Sequence, residues 1–299
     1  MISLSTSIFG DTPGTEILAI IENLGISLLE LNFTLDAGQV RDIVLGAGKI
    51  GLRFSSLHNF VPEPPDGEQS AMLSDLDEST RLKAVQLTEN TIRLAAELGA
   101  EAVVLHMGQP RGVPMNDIQR SLRQAIFNKA PDSEISKYRS ELISVRKRLP
   151  GVYLESMLRS LEAIAPSAEQ MGIRLGIESR YFYSQFPDFE EMGILLQELS
   201  GSSIGYWHDC GHTHHTEYCG LGTTVEYLDS FGSRLVGVHL HDISSWTDHQ
   251  IPGPDGEMNF EQVKQYLKPD TVRVMELSKK CPLDKVNEGI DYLRKLGLD

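Results

Sequence analysis

Residues 204–215 read IGYWHDCGHTHH. The run opens as a short apolar strand through Ile204, Tyr206 and Trp207, and Gly211 breaks it, so Asp209 and His212 fall at the strand's end and in the turn that follows. A carboxylate and an imidazole three residues apart on a turn can aim at one point, as metal ligands do at a strand end. Asp-x-x-His is also common by chance, and four histidines in one run could form a polar surface loop. What decides between these readings is the rest of the chain.

Working outward, the same rhythm recurs on both sides. Downstream come a helical pattern over 223–232, the strand 235–241 (LVGVHLH), a helix over 259–267, the strand 271–277 (TVRVMEL) and a helix over 284–296. Immediately upstream lie a helix over 188–199, the strand 174–178 (RLGIE) and a helix over 152–171. Further back, the strand 102–106 (AVVLH) follows a long helix over about 76–98, which carries Leu82, Val85, Ile92, Ala95 and Leu98 on one face. PEPPDG at 62–67 can only be a loop. Before it come the strand 51–58 (GLRFSSLH), a helix over 36–48 and the strand 27–33 (SLLELNF). The first unit pairs ISLSTSIF at 2–9 with a helix bearing Ile17, Ile20, Ile21 and Leu24 and stopped by Gly25.

Eight strands, short and apolar enough to be buried on both faces, thus alternate with eight helices. That pattern predicts an α/β fold, a (β/α)8 barrel, rather than an open doubly wound sheet. Neither Gly-x-Gly-x-x-Gly nor Gly-x-x-x-x-Gly-Lys occurs, which disfavours nucleotide-binding folds. Residues 109–150, after strand four, are too long for a simple connection and helical in composition. The expected organisation is one domain over 1–299, with 109–150 as a basic helical insertion over the barrel mouth.

Composition narrows the function classes. With 40% hydrophobic and 23% charged residues the chain is an ordinary globular one. No apolar run is long enough to span a membrane and the N-terminus lacks a basic leader, so the expected location is cytoplasmic. Cys210, Cys219 and Cys281 form no Cys-x-x-Cys pair, which argues against a disulfide framework or a zinc knuckle. A net charge of −15 repels nucleic-acid phosphates and anionic membranes, making duplex DNA a poor partner. Locally, 109–150 holds nine Lys or Arg against four acids and could cover or recruit a phosphate-bearing substrate.

In a barrel of this kind the site lies at the carboxyl ends of the strands. There the sequence places His58, His106, Glu178, Asp209 with His212, His239, His249 and Glu276. Imidazoles and carboxylates without thiolates suit divalent Zn, Mn, Fe, Co or Mg in a hydrolytic or Lewis-acid role. Arg180, two residues past Glu178, could hold an anionic group through its fork. Strand alternation turns His241 toward the helices or Asp242, and makes Cys210 buried packing. His208, His214 and His215 read as loop residues.

These residues resemble the xylose isomerase-like TIM barrels, the family that includes sugar epimerases and endonuclease IV. The resemblance is specific at LHNF, VVLHMG, GIESR, WHDCGH, VHLHD, DHQIPGPDG and MEL. It implies that Glu178, Asp209, His239 and Glu276 bind one metal, with the two glutamates acting as acid and base in the epimerase branch. It further implies that His58 and His106 bind a second metal bridged by Glu178, and that His212 and His249 bind a third. Thr247-Asp248-His249 departs from the Asp-x-His of the nuclease branch, which puts that third metal in doubt.

The resulting expectation is an enzyme holding one to three divalent ions, zinc first among them, that hydrolyses a phosphodiester in a small or nucleotide-like substrate. The alternative is a single-metal sugar or sugar-phosphate isomerase or epimerase, with Glu178 and Glu276 exchanging protons at carbon and His58, His106, His212 and His249 contacting the sugar.

Overall fold

The structure, a computed structural model, describes residues 1–64, 71–113, 115–149, 151–244 and 246–299. Its centre is a closed parallel barrel of eight strands: β1 (Ile2–Ser5), β2 (Leu28–Leu31), β3 (Arg53–His58), β4 (Ala102–Leu105), β5 (Arg174–Glu178), β6 (Ile204–Asp209), β7 (Leu235–Leu240) and β10 (Val272–Met275). The strands follow one another around the barrel in chain order, with β10 closing onto β1. Two further strands, β8 (Asp242–Ser244) and β9 (Thr247–Gln250), form an antiparallel hairpin after β7. Among the described residues no helix is long and apolar enough to cross a membrane.

Local chemistry sets the helix ends. Gly25 stops the first helix, Gly14–Leu24, at φ 68°, where a Cβ would be strained. Asp36 and Asp188 open the helices Ala37–Ala47 and Phe189–Glu198 through capping boxes with Gln39 and Glu191. Of the proline-rich loop, 62–64 are outside any helix or strand and 65–67 lie outside the described residues.

The long helix departs from its expected face. Glu78–Glu97 turns Leu82 to solvent and buries Arg81, Thr88 and Thr91 beside Val85, Ile92 and Ala95. Each polar residue is satisfied there: Thr88 donates to Ala84 O, Thr91 to Val61 O, and Arg81 bonds Glu78 and Ser160. Specific partners at this face outweighed the apolar spacing.

Inside the barrel, Trp207 fills the layer beneath the mouth, clustered with Ala102, Val104, Val236, Val272 and Val274. Two glycines on flanking strands make the room. A Cβ on Gly237 would sit 2.2 Å from Trp207 Cζ3, and one on Gly176 2.8 Å from Trp207 Cε3. Gly237→Ala is therefore expected to destabilise the fold by about 1–3 kcal/mol through overpacking, read as a lower denaturation midpoint. The Trp207 ring lies 5.1 Å from that of His239, so it is also the floor of the site.

The insertion forms two helices, Met115–Phe127 and Asp132–Lys147, joined through a cluster of Met115, Leu122, Leu142 and Cys219. Its basic residues act as anchors. Arg123 donates to Tyr181 Oη and Trp246 O, Arg139 to Cys219 O, and Arg146 to Tyr183 O and Glu191. With Arg111, which pairs with Asp75, four of the nine cations of 109–150 are committed to neighbouring segments.

Candidate metal and substrate site

Strand ends bring every residue picked out above to one mouth. Glu178 closes β5, Asp209 closes β6, His239 sits on β7 in register with Asp209, and Glu276 directly follows β10. One ligand atom from each of these four lies within 4.8 Å of the others, and all four residues are buried. Three further groupings meet the same distance test: His58, His106 and Glu178; His58, His239 and Glu276; and Asp209, His212 and His249. A cavity of about 490 Å³ opens above them.

His239 is the hub. Its Nδ1 lies 2.8 Å from Glu178, 3.1 Å from Glu276 and 3.5 Å from Asp209. Its Nε2 faces Glu30 at 3.2 Å, and a carboxylate there can only accept, so Nε2 carries the proton. The Nδ1 lone pair then points at three carboxylates, an arrangement that calls for positive charge between them. Burial opposes a charge on the ring, yet Glu276 and Glu30 hold its pKa well above the usual histidine value. A buried set of three carboxylates and one imidazole fits a divalent cation by donor chemistry as well as by spacing.

The two glutamates are steered independently. Glu178 Oε2 is met by His106 Nε2 at 2.6 Å and by the Arg180 guanidinium, leaving Oε1 for His239. Burial would raise the Glu178 pKa, but His106 and Arg180 outweigh it and hold the carboxyl well below the ordinary range. Glu276 Oε1 accepts from Asn32 Nδ2 at 2.9 Å, leaving Oε2 for His239. Desolvation and the Arg180 charge push His106 down to about 4, so its imidazole is neutral near pH 7.

Tautomers can be read from the remaining contacts. His212 Nδ1 must donate to Ser179 O at 2.8 Å, which leaves Nε2 as the acceptor. His241 Nδ1 accepts from the His249 backbone N–H at 2.9 Å, so its Nε2 donates to Asp209 at 3.1 Å. His241 therefore orients Asp209 instead of facing the helices. Buried His208 pairs with Tyr206 Oη, and buried His215 packs edge-on against Tyr181, so neither is a loop residue. Arg180, expected to hold a substrate anion, is committed to Glu178.

Sequence reasoning passed over Glu30, Asn32 and His241. The signal was present in LLELNF, where two polar residues alternate on one face of an apolar strand.

A family profile described as xylose isomerase-like TIM barrel matches residues 18–296. The chain belongs to this family. Among solved structures, the barrel is similar to an E. coli 3-keto-D-glucoside 4-epimerase, with TM-score 0.68 and 15% identity over 98% of both chains. It is similar to a Clostridium cellulolyticum H10 D-psicose 3-epimerase with D-tagatose, with TM-score 0.68 and 13% identity over 99% of both. An uncharacterized protein of Methanocaldococcus jannaschii is 24% identical over 204 residues, covering 65% of this chain and 56% of that one. The chain thus spans a little over half the length of the curated relatives it matches.

These findings correct the expected phosphodiester hydrolase, since several of the similar solved barrels are sugar epimerases. The site gives a physical reason for the correction. Arg180 and His106 already pair with Glu178 Oε2, so a second ion held there would have to compete with a guanidinium for that oxygen.

Proposed function

We propose that this barrel is a metal-dependent sugar epimerase or isomerase that moves a proton at the carbon beside a carbonyl, with Glu178 and Glu276 as its acid–base pair. The observation carrying this reading is that two buried carboxylates reach one atom, His239 Nδ1, from separate strands and are each fixed by partners of their own. Removing a proton from one face of a carbon and returning one to the other face requires two such groups at fixed positions. Glu178, Asp209, His239 and Glu276 would hold one divalent ion, which polarises the sugar carbonyl when bound.

His58, His106 and His212 line the cavity as hydrogen-bonding groups for sugar hydroxyls, with His212 presenting Nε2. His249, 3.3 Å from Glu276 Oε2, steadies that carboxylate. Arg180 holds Glu178 in position.

The test is deuterium incorporation. Metal-loaded protein incubated with ketohexoses in D2O is expected to place deuterium on the carbon next to the carbonyl, followed by NMR. Absence of incorporation across ketoses and aldoses, in protein shown to carry metal, would refute the proposal.

Glu30→Gln checks the hub. Glu30, held by Ser56 Oγ at 2.7 Å, fixes the proton on His239 Nε2 and so frees Nδ1 as a ligand. Losing the carboxylate partner of a ligating histidine is expected to weaken metal affinity by roughly 10–100-fold, measured by competition with a chelating dye.

A further inference from the structure

A second cavity of about 320 Å³ opens beside the first, and the two share Phe33, His106 and Arg180 as a common wall. A molecule seated on the carboxylates can therefore continue past His106 into it. A volume of roughly 300 Å³ or more is that of a ligand pocket in its own right, more than the end of a single sugar chain needs.

The lining defines what fits. Phe60, Ala71 and Met72 give apolar surface, and Phe33, 38% exposed, stands between the two chambers. Against these lie two uncommitted amides. The Gln109 side chain makes no hydrogen bond among the described residues; Gln185 accepts from Phe182 N–H through Oε1 and leaves its Nε2 free. Apolar faces with a few free amides suit a ring that is apolar on its flat side and hydroxylated at its edge.

Charge excludes the obvious competitor. Arg180, the one cation among the described lining residues, is bonded to Glu178. Nearby Arg111 pairs with Asp75 at 2.9 Å. A phosphate placed here would meet one guanidinium already charge-paired with Glu178 and, on the same lining, the carboxylate of Glu63, so the chamber offers it no net positive charge.

Resting on the epimerase reading above, we infer that the substrate is a neutral glycoside: the reacting ketose sits over Glu178 and Glu276, and an uncharged sugar ring linked to it fills the second cavity between Phe60 and the amides of Gln109 and Gln185. Binding of that remote ring contributes to the reacting end by orienting it, so truncating the substrate lowers turnover as well as affinity.

The experiment compares D-fructose with lactulose and isomaltulose, two disaccharides whose fructosyl unit keeps its C2 carbonyl and C3 hydroxyl free. Exchange of the C3 proton in D2O is followed by NMR on metal-loaded protein. At least one disaccharide is expected to exceed D-fructose in kcat/KM by roughly tenfold or more. Gln109→Trp, which puts bulk at the exposed rim of the second cavity, is expected to cut that disaccharide-to-fructose ratio by a comparable factor. D-fructose exchange in the same variant reports on its folding. D-fructose exchanging as fast as both disaccharides, or a ratio unmoved by Gln109→Trp, overturns the glycoside inference alone. No exchange with either disaccharide likewise overturns the glycoside inference, whereas no exchange with any ketose or aldose overturns the epimerase reading itself.

Discussion

Glu276→Gln is expected to slow epimerisation by roughly 10²–10⁴-fold, the contribution of a positioned general acid or base. Glutamine keeps the size of the side chain and an oxygen to accept from Asn32 Nδ2, so the change removes a proton carrier more than it reshapes the pocket. Glu178→Gln should be at least as damaging. Its Oε2 answers both His106 and the Arg180 guanidinium, and an amide there leaves a buried cation without its anion. The two variants should differ in one telling respect. If each carboxylate serves one face of the carbon, each variant loses interconversion yet retains solvent exchange from one epimer only, and the surviving epimer differs between them. Equal exchange from both epimers in either variant would show that a single base serves both faces.

Glu178 and Glu276 were readable as mouth residues because the barrel's own geometry advertises its strand ends, while their pairing as acid and base came only with the family resemblance. Of the barrel strands, β3, β5 and β6 end in His58, Glu178 and Asp209, and β7 and β10 bring His239 and Glu276 within one residue of their ends, so RLGIE, WHD and VHLH display the mouth without any contact being known. Residues acting through another residue were harder to see. Glu30 and His241 matter because they fix the tautomer of His239 and the orientation of Asp209, and no spacing announces such a role.

Glycine misled in the opposite direction. Gly211 was taken to end the strand in a turn, whereas it lies in the helix Cys210–Tyr218, capped by Asp209. A Cβ there would stand 2.2 Å from His241 Cε1, so this glycine answers to close packing and does not break the helix. The choice between hydrolase and epimerase was likewise not legible, because both branches use the same strand-end residues. It turned on the likeness to solved barrels that include sugar epimerases, which no residue spacing supplies.

Removing the metal is expected to abolish turnover and lower the melting temperature, and the electrostatics of the hub say why. Glu30, Glu178, Asp209 and Glu276 are buried around one imidazole, and within the set the fixed positive charge is Arg180. Like charges about 4 Å apart repel by about 4 kcal/mol at an effective dielectric constant near 20, so the metal-free cluster is poised to take up a cation. An ion supplied at about a hundred times its dissociation constant adds about 2.7 kcal/mol to the folded state, roughly 4 °C for a chain of this size. Binding must also expel the second proton of the metal-free His239 ring, the one on Nδ1 facing Glu178 and Glu276, since the ring's pKa stands well above the ordinary value. Falling pH therefore favours the protonated ring, metal affinity declines, and the melting-temperature gap between metal-loaded and chelated protein narrows as the solution is acidified. Calorimetry with and without chelator across that range measures the gap. A melting temperature indifferent to chelator, with epimerisation intact, would mean that these buried carboxylates work without an ion.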